Sequence, residues 1–321
     1  MGIGKKQDGA AGKRKNRTLT IGFEMEKIKS YLSLIKFSHT IFAMPFALIG
    51  FFLAYRQMGY SQLSAWDQFN NNPLLVKLAL VILCMVFARS AAMAFNRYLD
   101  RKLDAANPRT AIREIPKGII SASSALVFTI MACVLFVLTC YFINSVCFYL
   151  SPVALLVVLG YSYTKRFTAL CHLILGVGLS LAPIGAYLAV TAQFDLLPIL
   201  FSLTVIFWVS GFDIIYALQD EEFDKSQKLY SMPVWLGKAK ALRVSEWLHF
   251  ISATTVVVAG FYGHFSWLYW IGTAIFMGML IYQHSIVKPH DLKKVNIAFM
   301  TANGIASIVF AIFVIADLFL K

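Results

Sequence analysis

Asn96, Asp100 and Asp104 stand four residues apart, and Asp213, Tyr216, Asp220 and Asp224 repeat much the same spacing later in the chain. On a helix, residues four apart share one face with Cβ atoms about 6 Å apart, where like charges repel unless something positive sits between them. Aligning Asp100 with Asp220 also aligns Asp104 with Asp224 and Asn96 with Tyr216, so one chemistry is written twice. A divalent cation is the natural occupant of such a ladder. Mg²⁺ takes oxygen ligands at about 2.1 Å, keeps several waters, and is held by one or two carboxylates plus substrate phosphates. Each ladder runs out into a basic loop, with Arg109, Arg113 and Lys117 after the first and Lys225, Lys228 and Lys238 after the second. Acids beside bases fit a diphosphate clamp, in which metal and cationic side chains neutralise charge growing on a leaving group. No Walker-type loop, zinc spacing or GxGxxG signature competes with that reading.

The elements that hold the ladders follow from composition. Of 321 residues, 59% are hydrophobic and 14% charged, and the mean hydropathy is +0.69. A chain this apolar is an all-α polytopic membrane protein rather than a soluble domain. Apolar runs near the roughly 20 residues that a spanning helix needs fall at 33–55, 75–98, 121–142, 146–163, 169–190, 196–217, 244–262, 266–286 and 295–320. These nine spans make up a single membrane domain over 31–321, preceded by a basic, Gly-rich cytosolic tail over 1–30. Lys and Arg concentrate in that tail and in the loops after spans two, four, six and eight. The positive-inside rule then puts the N-terminus and both ladders on the cytoplasmic side and the C-terminus outside.

The net charge of +13 follows this topology, so anionic lipid accounts for it and nucleic acid is not an expected partner. Cys84, Cys133, Cys140, Cys147 and Cys171 all lie in apolar spans without a CxxC pair, which reads as packed thiols. His172, His249, His264, His284 and His290 show no ligand spacing and read as packed or interfacial. Matching ladders four spans apart suggest an internal duplication of four helices, and the long loop after each ladder has the length of a functional lid. Arg89 shares the stripe of the first ladder inside span two, where an arginine needs an anionic partner. It could meet a diphosphate, the carboxylate of an aromatic acid, or an internal acid. Lys36 and His39 open span one on the ladder side, where they could hold a carboxylate or snorkel to the interface. Pro183 should kink span five and open cavity volume. A cation-coupled transporter is the reading from another class, but its acids belong near mid-span between broken helices. Every ladder acid here lies at a span end.

With Asn96-Arg97-x2-Asp100-Arg101-x2-Asp104, Asp213-Ile214-Ile215-Tyr216-Ala217-x2-Asp220-x3-Asp224, and Tyr161-Ser162-Tyr163-Thr164-Lys165-Arg166 between them, the chain resembles the UbiA superfamily of intramembrane prenyltransferases. The second motif is similar to that of the 4-hydroxybenzoate polyprenyltransferase branch. The resemblance implies nine helices around a central cavity open laterally to lipid, in a bacterial inner membrane. It implies two Mg²⁺ ions on Asn96, Asp100, Asp104, Asp213, Asp220 and Asp224, with Asp100, Asp104, Asp220 and Asp224 catalytic. Lys165, Arg166, Arg113 and Tyr216 would bind the diphosphate of a polyprenyl diphosphate. Arg89, Lys36, His39 and Tyr163 would face an aromatic acid acceptor, as in quinone biosynthesis. Metal and basic charge would stabilise the leaving diphosphate in a water-poor cavity, and Asp220 or Asp104 would take the ring proton. Arg113-Glu114-Ile115-Pro116-Lys117-Gly118 departs from the family's Arg-Pro-Leu-Pro-x-Gly by lacking the first proline. The stretch from Lys36 to Pro45 and Asn107-Pro108-Arg109-Thr110 look most like a subgroup of menaquinone synthesis, whose acceptor is a dihydroxynaphthoate-type acid.

Overall fold

In hydrocarbon no water satisfies the backbone, so apolar runs of this length must close their hydrogen bonds within helices. The computed structural model describes residues 29–34, 42–59 and 73–320. Lys36, His39 and positions 1–28 of the expected tail lie outside the described residues. The helices are α1 (Met44–Gln57), α2 (Pro73–Ala106), α3 (Ala122–Ile143), α4 (Ser145–Thr164), α5 (Cys171–Thr191), α6 (Leu196–Ala217), α7 (Glu221–Ser226), α8 (Met232–Leu236), α9 (Lys238–Tyr262), α10 (Trp267–Ile286) and α11 (Asn303–Leu320). A π-helical stretch, Ile297–Ala302, leads into α11. Among the described residues, seven helical segments are long and apolar enough to cross a membrane. The two other long helices, α1 and α10, pack into the same bundle against α5 and α11. The chain is therefore an all-α polytopic membrane protein, and among the described residues each expected apolar run contains a long helix.

From α3 onward, the turns at the end away from the ladders are short. Asn144 alone joins α3 to α4: its N–H donates to Cys140 O at 3.3 Å, and its Oδ1 accepts from Cys147 N at 2.8 Å. Its Nδ2 also donates to Leu188 O at 2.9 Å, which fixes the turn against α5. Asp195 caps α6 by accepting from Leu197 N at 3.0 Å.

Helix α5 sits between α1, α4 and α6, and glycines permit the closest of these approaches. A Cβ on Gly50 of α1 would lie 2.0 Å from the carbonyl oxygen of Pro183. One on Gly176 of α5 would lie 2.5 Å from Ile206 O on α6. Pro183 thus meets α1 on one side of α5, while Ala182 and Gly185 beside it line an internal cavity. Phe46, Trp208, Phe276 and Phe310 fill the bundle on the far side of α5, with ring centroids 5.3–6.4 Å apart where they touch.

The two ladders differ in backbone. Helix α2 runs on to Ala106, eight residues past the expected end of its span, so Asn96, Asp100 and Asp104 share one continuous helix. The second ladder does not. Helix α6 ends at Ala217, a 3₁₀ turn occupies Leu218–Asp220, and α7 carries Asp224. The tighter i→i+3 turn changes the rotation per residue, so Asp220 and Asp224 are not carried on the same continuous helix as Asp213 and Tyr216.

Candidate active site

The first ladder is buried, and its charges are paired. Asp100 is only 2% exposed, and a carboxylate taken that far out of water needs compensating charge. Lys165 Nζ lies 2.7 Å from its Oδ2, and Arg166 Nη2 lies 2.8 Å from its Oδ1. Both bases come from the turn between α4 and α5, where Arg166 is braced by donating to Ser162 O at 2.8 Å. Asn96 Nδ2 donates at 3.4 Å to Asp100 Oδ2 and to Ser162 Oγ, so α2 and α4 meet through the ladder. One turn further, Arg113 Nη1 donates to Asp104 Oδ1 at 2.6 Å. The other oxygen, Asp104 Oδ2, is buried without a hydrogen-bond partner.

The second ladder is gripped from the α2–α3 loop. Arg109 Nε donates to Asp220 Oδ1 at 3.0 Å, its Nη2 reaches Asp220 Oδ2, and its Nη1 donates to the Tyr216 hydroxyl at 2.8 Å. The guanidinium carbon stands 5.2 Å from the centre of the Tyr216 ring. Asn107 Nδ2 donates to the same Asp220 Oδ1 at 3.3 Å, and Asn107 Oδ1 accepts from Arg109 N at 3.0 Å. Burial works against the charge on Arg109, but the hydrogen bond and charge of Asp220 outweigh it and raise its pKa above the ordinary value. Below Tyr216, Phe299 of the π-helical stretch packs at 4.3 Å between ring centroids. Asp213 Oδ2 lies 2.6 Å from His172 Nδ1 at the start of α5. Asp224 is half-buried on α7.

An apolar cavity of about 340 Å³ runs between α2, α4 and α5, lined among others by Met85, Met93, Val157 and Leu179. Arg89 and Tyr161 line it at the ladder end. Met93 lies three residues before Asn96, and Tyr161 directly precedes Ser162, so the Asn96–Ser162 contact stands next to the cavity on the ladder side. Arg89 Nε is buried with no hydrogen-bond partner, an arginine held in an apolar wall. Tyr163 lies elsewhere. It is 46% exposed, 5.8 Å from the Phe95 ring and beneath Arg166.

The structure thus brings Asn96, Asp100, Asp104, Arg113, Lys165 and Arg166 into one cluster and Asp220, Tyr216 and Arg109 into a second, joined through the α2–α3 loop. Among the described residues no three acids, histidines or cysteines converge into a ready-made metal cage. Each cluster leans on bases instead. The donor set nevertheless suits Mg²⁺, being carboxylate and amide oxygens, and the unpartnered Asp104 Oδ2 offers a ligand atom with nothing else to bind. Sequence reasoning passed over two contacts. Arg109 appeared as one base of a basic loop, with no acid assigned to it, and His172 read as a packed histidine. Nothing in the spacing ties either to an acid more than 40 residues away.

A 4-hydroxybenzoate octaprenyltransferase of Tolumonas auensis is 28% identical over 235 residues, spanning 73% of this chain and 82% of that protein. One of Paraburkholderia phymatum is 28% identical over 246 residues, spanning 77% and 85%. Among solved structures, the apo structure of a UbiA homologue from Aeropyrum pernix superposes with a TM-score of 0.71 at 25% identity, covering 88% of this chain and 97% of that one. A UbiA homologue from Archaeoglobus fulgidus, solved bound to GPP and Mg²⁺, shares the fold with a TM-score of 0.69 at 20% identity, covering 91% and 100%. The profile of the UbiA prenyltransferase family matches residues 43–305, a stretch that holds both ladders and the bases facing them, and the chain belongs to that family of transferases.

Proposed function

We propose that this enzyme transfers a polyprenyl group from a polyprenyl diphosphate to the ring of an aromatic acid of the 4-hydroxybenzoate type, as a step of quinone biosynthesis. The observation that carries the reading is the apolar cavity with half-buried Arg89 in its wall, the Nε of that arginine buried without a hydrogen-bond partner, and with the acid–base cluster next to it on the ladder side. It supplies an apolar space for an isoprenoid, a cation for a carboxylate, and a charged end for a diphosphate. The names of the curated relatives support the same acceptor class.

In this reading Lys165, Arg166, Arg113 and Tyr216 bind the diphosphate, joined by Arg109. Mg²⁺, with two ions expected, would be held by Asn96, Asp100, Asp104, Asp213, Asp220 and Asp224 and would add Lewis-acid charge at the departing oxygen. The bond between the allylic carbon and the diphosphate breaks with its electron pair going to the phosphate oxygen, where the basic side chains compensate it. The allylic carbon, held in the apolar cavity away from water, bonds to the aromatic ring. Arg89 orients the acceptor through its carboxylate. A carboxylate oxygen of Asp220 or of Asp104 that is not engaged by metal takes the ring proton. The enzyme belongs in the bacterial inner membrane, with the N-terminus and both ladders on the cytoplasmic side and the C-terminus outside, as the basic loops require.

The test is an acceptor panel in membranes that hold this protein, with polyprenyl diphosphate, Mg²⁺ or EDTA, and 4-hydroxybenzoate or dihydroxynaphthoates, read by mass spectrometry. Mg²⁺-dependent prenylated 4-hydroxybenzoate is the expected product. Product from the dihydroxynaphthoate alone moves the acceptor to the menaquinone type, and none from either overturns the proposal.

A further inference from the structure

We infer that His172 is a positioning residue that fixes the Asp213 carboxylate and ties it to the segment returning from the second ladder. The inference rests on the reading of Asp213 as a metal ligand given above. His172 occupies the first turn of α5 and is 3% exposed. Its two ring nitrogens face different partners. Nδ1 is 2.6 Å from Asp213 Oδ2, and Nε2 is 3.3 Å from the backbone nitrogen of Met232. A backbone N–H can only donate, so Nε2 carries the lone pair, and Nδ1 carries the proton and donates it to Asp213. These partners assign one tautomer and leave Asp213 Oδ1 available to a ligand.

The ring is held in place by its surroundings. One turn on, at Gly176, an added Cβ would lie 2.5 Å from Ile206 O and 2.6 Å from Ser210 Oγ, so α5 and α6 are pressed together here. Ser210 Oγ also donates to His172 O at 3.1 Å. The segment on the other side is equally tied. Tyr230 N donates to Lys165 O at 2.7 Å, and Cys171 Sγ donates to Tyr230 O at 3.6 Å. Residues 230–232 therefore connect Lys165, on the diphosphate side, with Asp213 through the imidazole. Partners that orient a ligating carboxylate typically change metal affinity by about 10–100-fold when removed.

The test uses the full-length protein in nanodiscs, with Mn²⁺ as a spin probe for Mg²⁺ and its binding read by EPR, alongside tryptic cleavage at Lys225 and Lys228. His172→Leu removes both contacts, and we expect about a tenfold loss of Mn²⁺ affinity and faster cleavage. His172→Asn keeps a donor near the Nδ1 position and should restore Mn²⁺ affinity to within about threefold while cleavage stays fast. His172→Gln, with an acceptor near Nε2 only, should slow cleavage without restoring affinity. This crossed pattern is what a merely structural histidine would not give. Equal behaviour of the Asn and Gln variants overturns the inference even if the Leu variant does not fold. Asp213→Asn is the reference. If it loses Mn²⁺ affinity while His172→Leu binds normally, the inference about His172 fails alone. If Asp213→Asn binds normally, the ligand reading beneath it fails and takes the inference with it.

Discussion

Arg109 and Asp220 join the two halves of the site: one guanidinium in the loop that follows the first ladder engages both carboxylate oxygens of the second. The same side chain donates to Tyr216. Its position makes Arg109 a carrier of positive charge at the place where two acid groups and a diphosphate would otherwise meet. Arg109→Gln should raise the KM for polyprenyl diphosphate about 10–100-fold, because a charge-assisted hydrogen bond is worth about 1.5–3 kcal/mol and 1.4 kcal/mol is tenfold. Arg109→Lys keeps the charge without the planar fork and should recover only part of the loss. Steady-state kinetics with varied diphosphate substrate checks this, and an unchanged KM in the Gln variant would remove Arg109 from the diphosphate site.

Asp100 carries two bases at once, and its neutral analogue separates charge from shape. Asp100→Asn should lower turnover by at least about a hundredfold, the order expected when a pre-arranged electrostatic group is lost from a transition state. The variant should still insert and purify as the wild type does. Asp220→Asn should behave alike, since Arg109 and Asn107 then face an amide. Product formation per unit of purified protein is the measurement. Near-normal turnover in both variants would end the two-ladder reading.

Metal removal gives an independent check on the same groups. EDTA should abolish product formation and added Mg²⁺ should restore it. The Asp104→Asn variant should need more Mg²⁺ than wild type for half-maximal rate, since it alters the one ladder oxygen seen buried without a partner. A wild-type Mg²⁺ requirement in that variant would remove Asp104 from the ligand set.

Sequence reading reached the architecture, and singled out the acids that the structure sets against bases, because both rest on local periodicity: apolar runs of helical length, and acids spaced four apart. The break after Ala217 was not legible, since Leu218–Asp220 contains neither proline nor glycine to announce a 3₁₀ turn. Arg109 and His172 escaped for a different reason. Their contacts cross more than 40 residues of chain and exist only because Gly176 lets α5 lie against α6 and because the α2–α3 loop folds back over the ladder end. Tyr163, expected at the acceptor from its motif position, stands half-exposed beside Phe95 with the guanidinium of Arg166 over its ring.

The approach of α1 to α5 predicts a purely structural effect. A Cβ on Gly50 would lie 2.0 Å from the backbone oxygen of Pro183, and backbone cannot step aside as a flexible side chain can. Gly50→Val should therefore cost about 1–3 kcal/mol, the usual penalty of overpacking, and lower the thermal midpoint in detergent. Gly185→Ala serves as the control, because nothing lies within 4 Å of a Cβ there. Equal midpoints for the two variants would contradict the close packing of α1 on α5.

Arg89 gives the sharpest prediction about the acceptor. Its side chain is half-buried in the cavity wall, with Nε buried and unpartnered, among methionines, alanines and Tyr161. An arginine in such a wall is costly unless an anion completes it, and in the proposed function that anion is the carboxylate of the aromatic acid. Arg89→Leu removes the cost together with the recognition, so the protein should remain folded and its thermal midpoint should hold or rise. The KM for 4-hydroxybenzoate should rise by at least about tenfold, as expected for the loss of a charge-assisted hydrogen bond, while the KM for polyprenyl diphosphate stays within about twofold. A phenolic acceptor without the carboxylate should be used equally poorly by variant and wild type. If instead the variant loses affinity for the diphosphate substrate with both acceptors, Arg89 serves the leaving group, and the carboxylate must be met by another side chain.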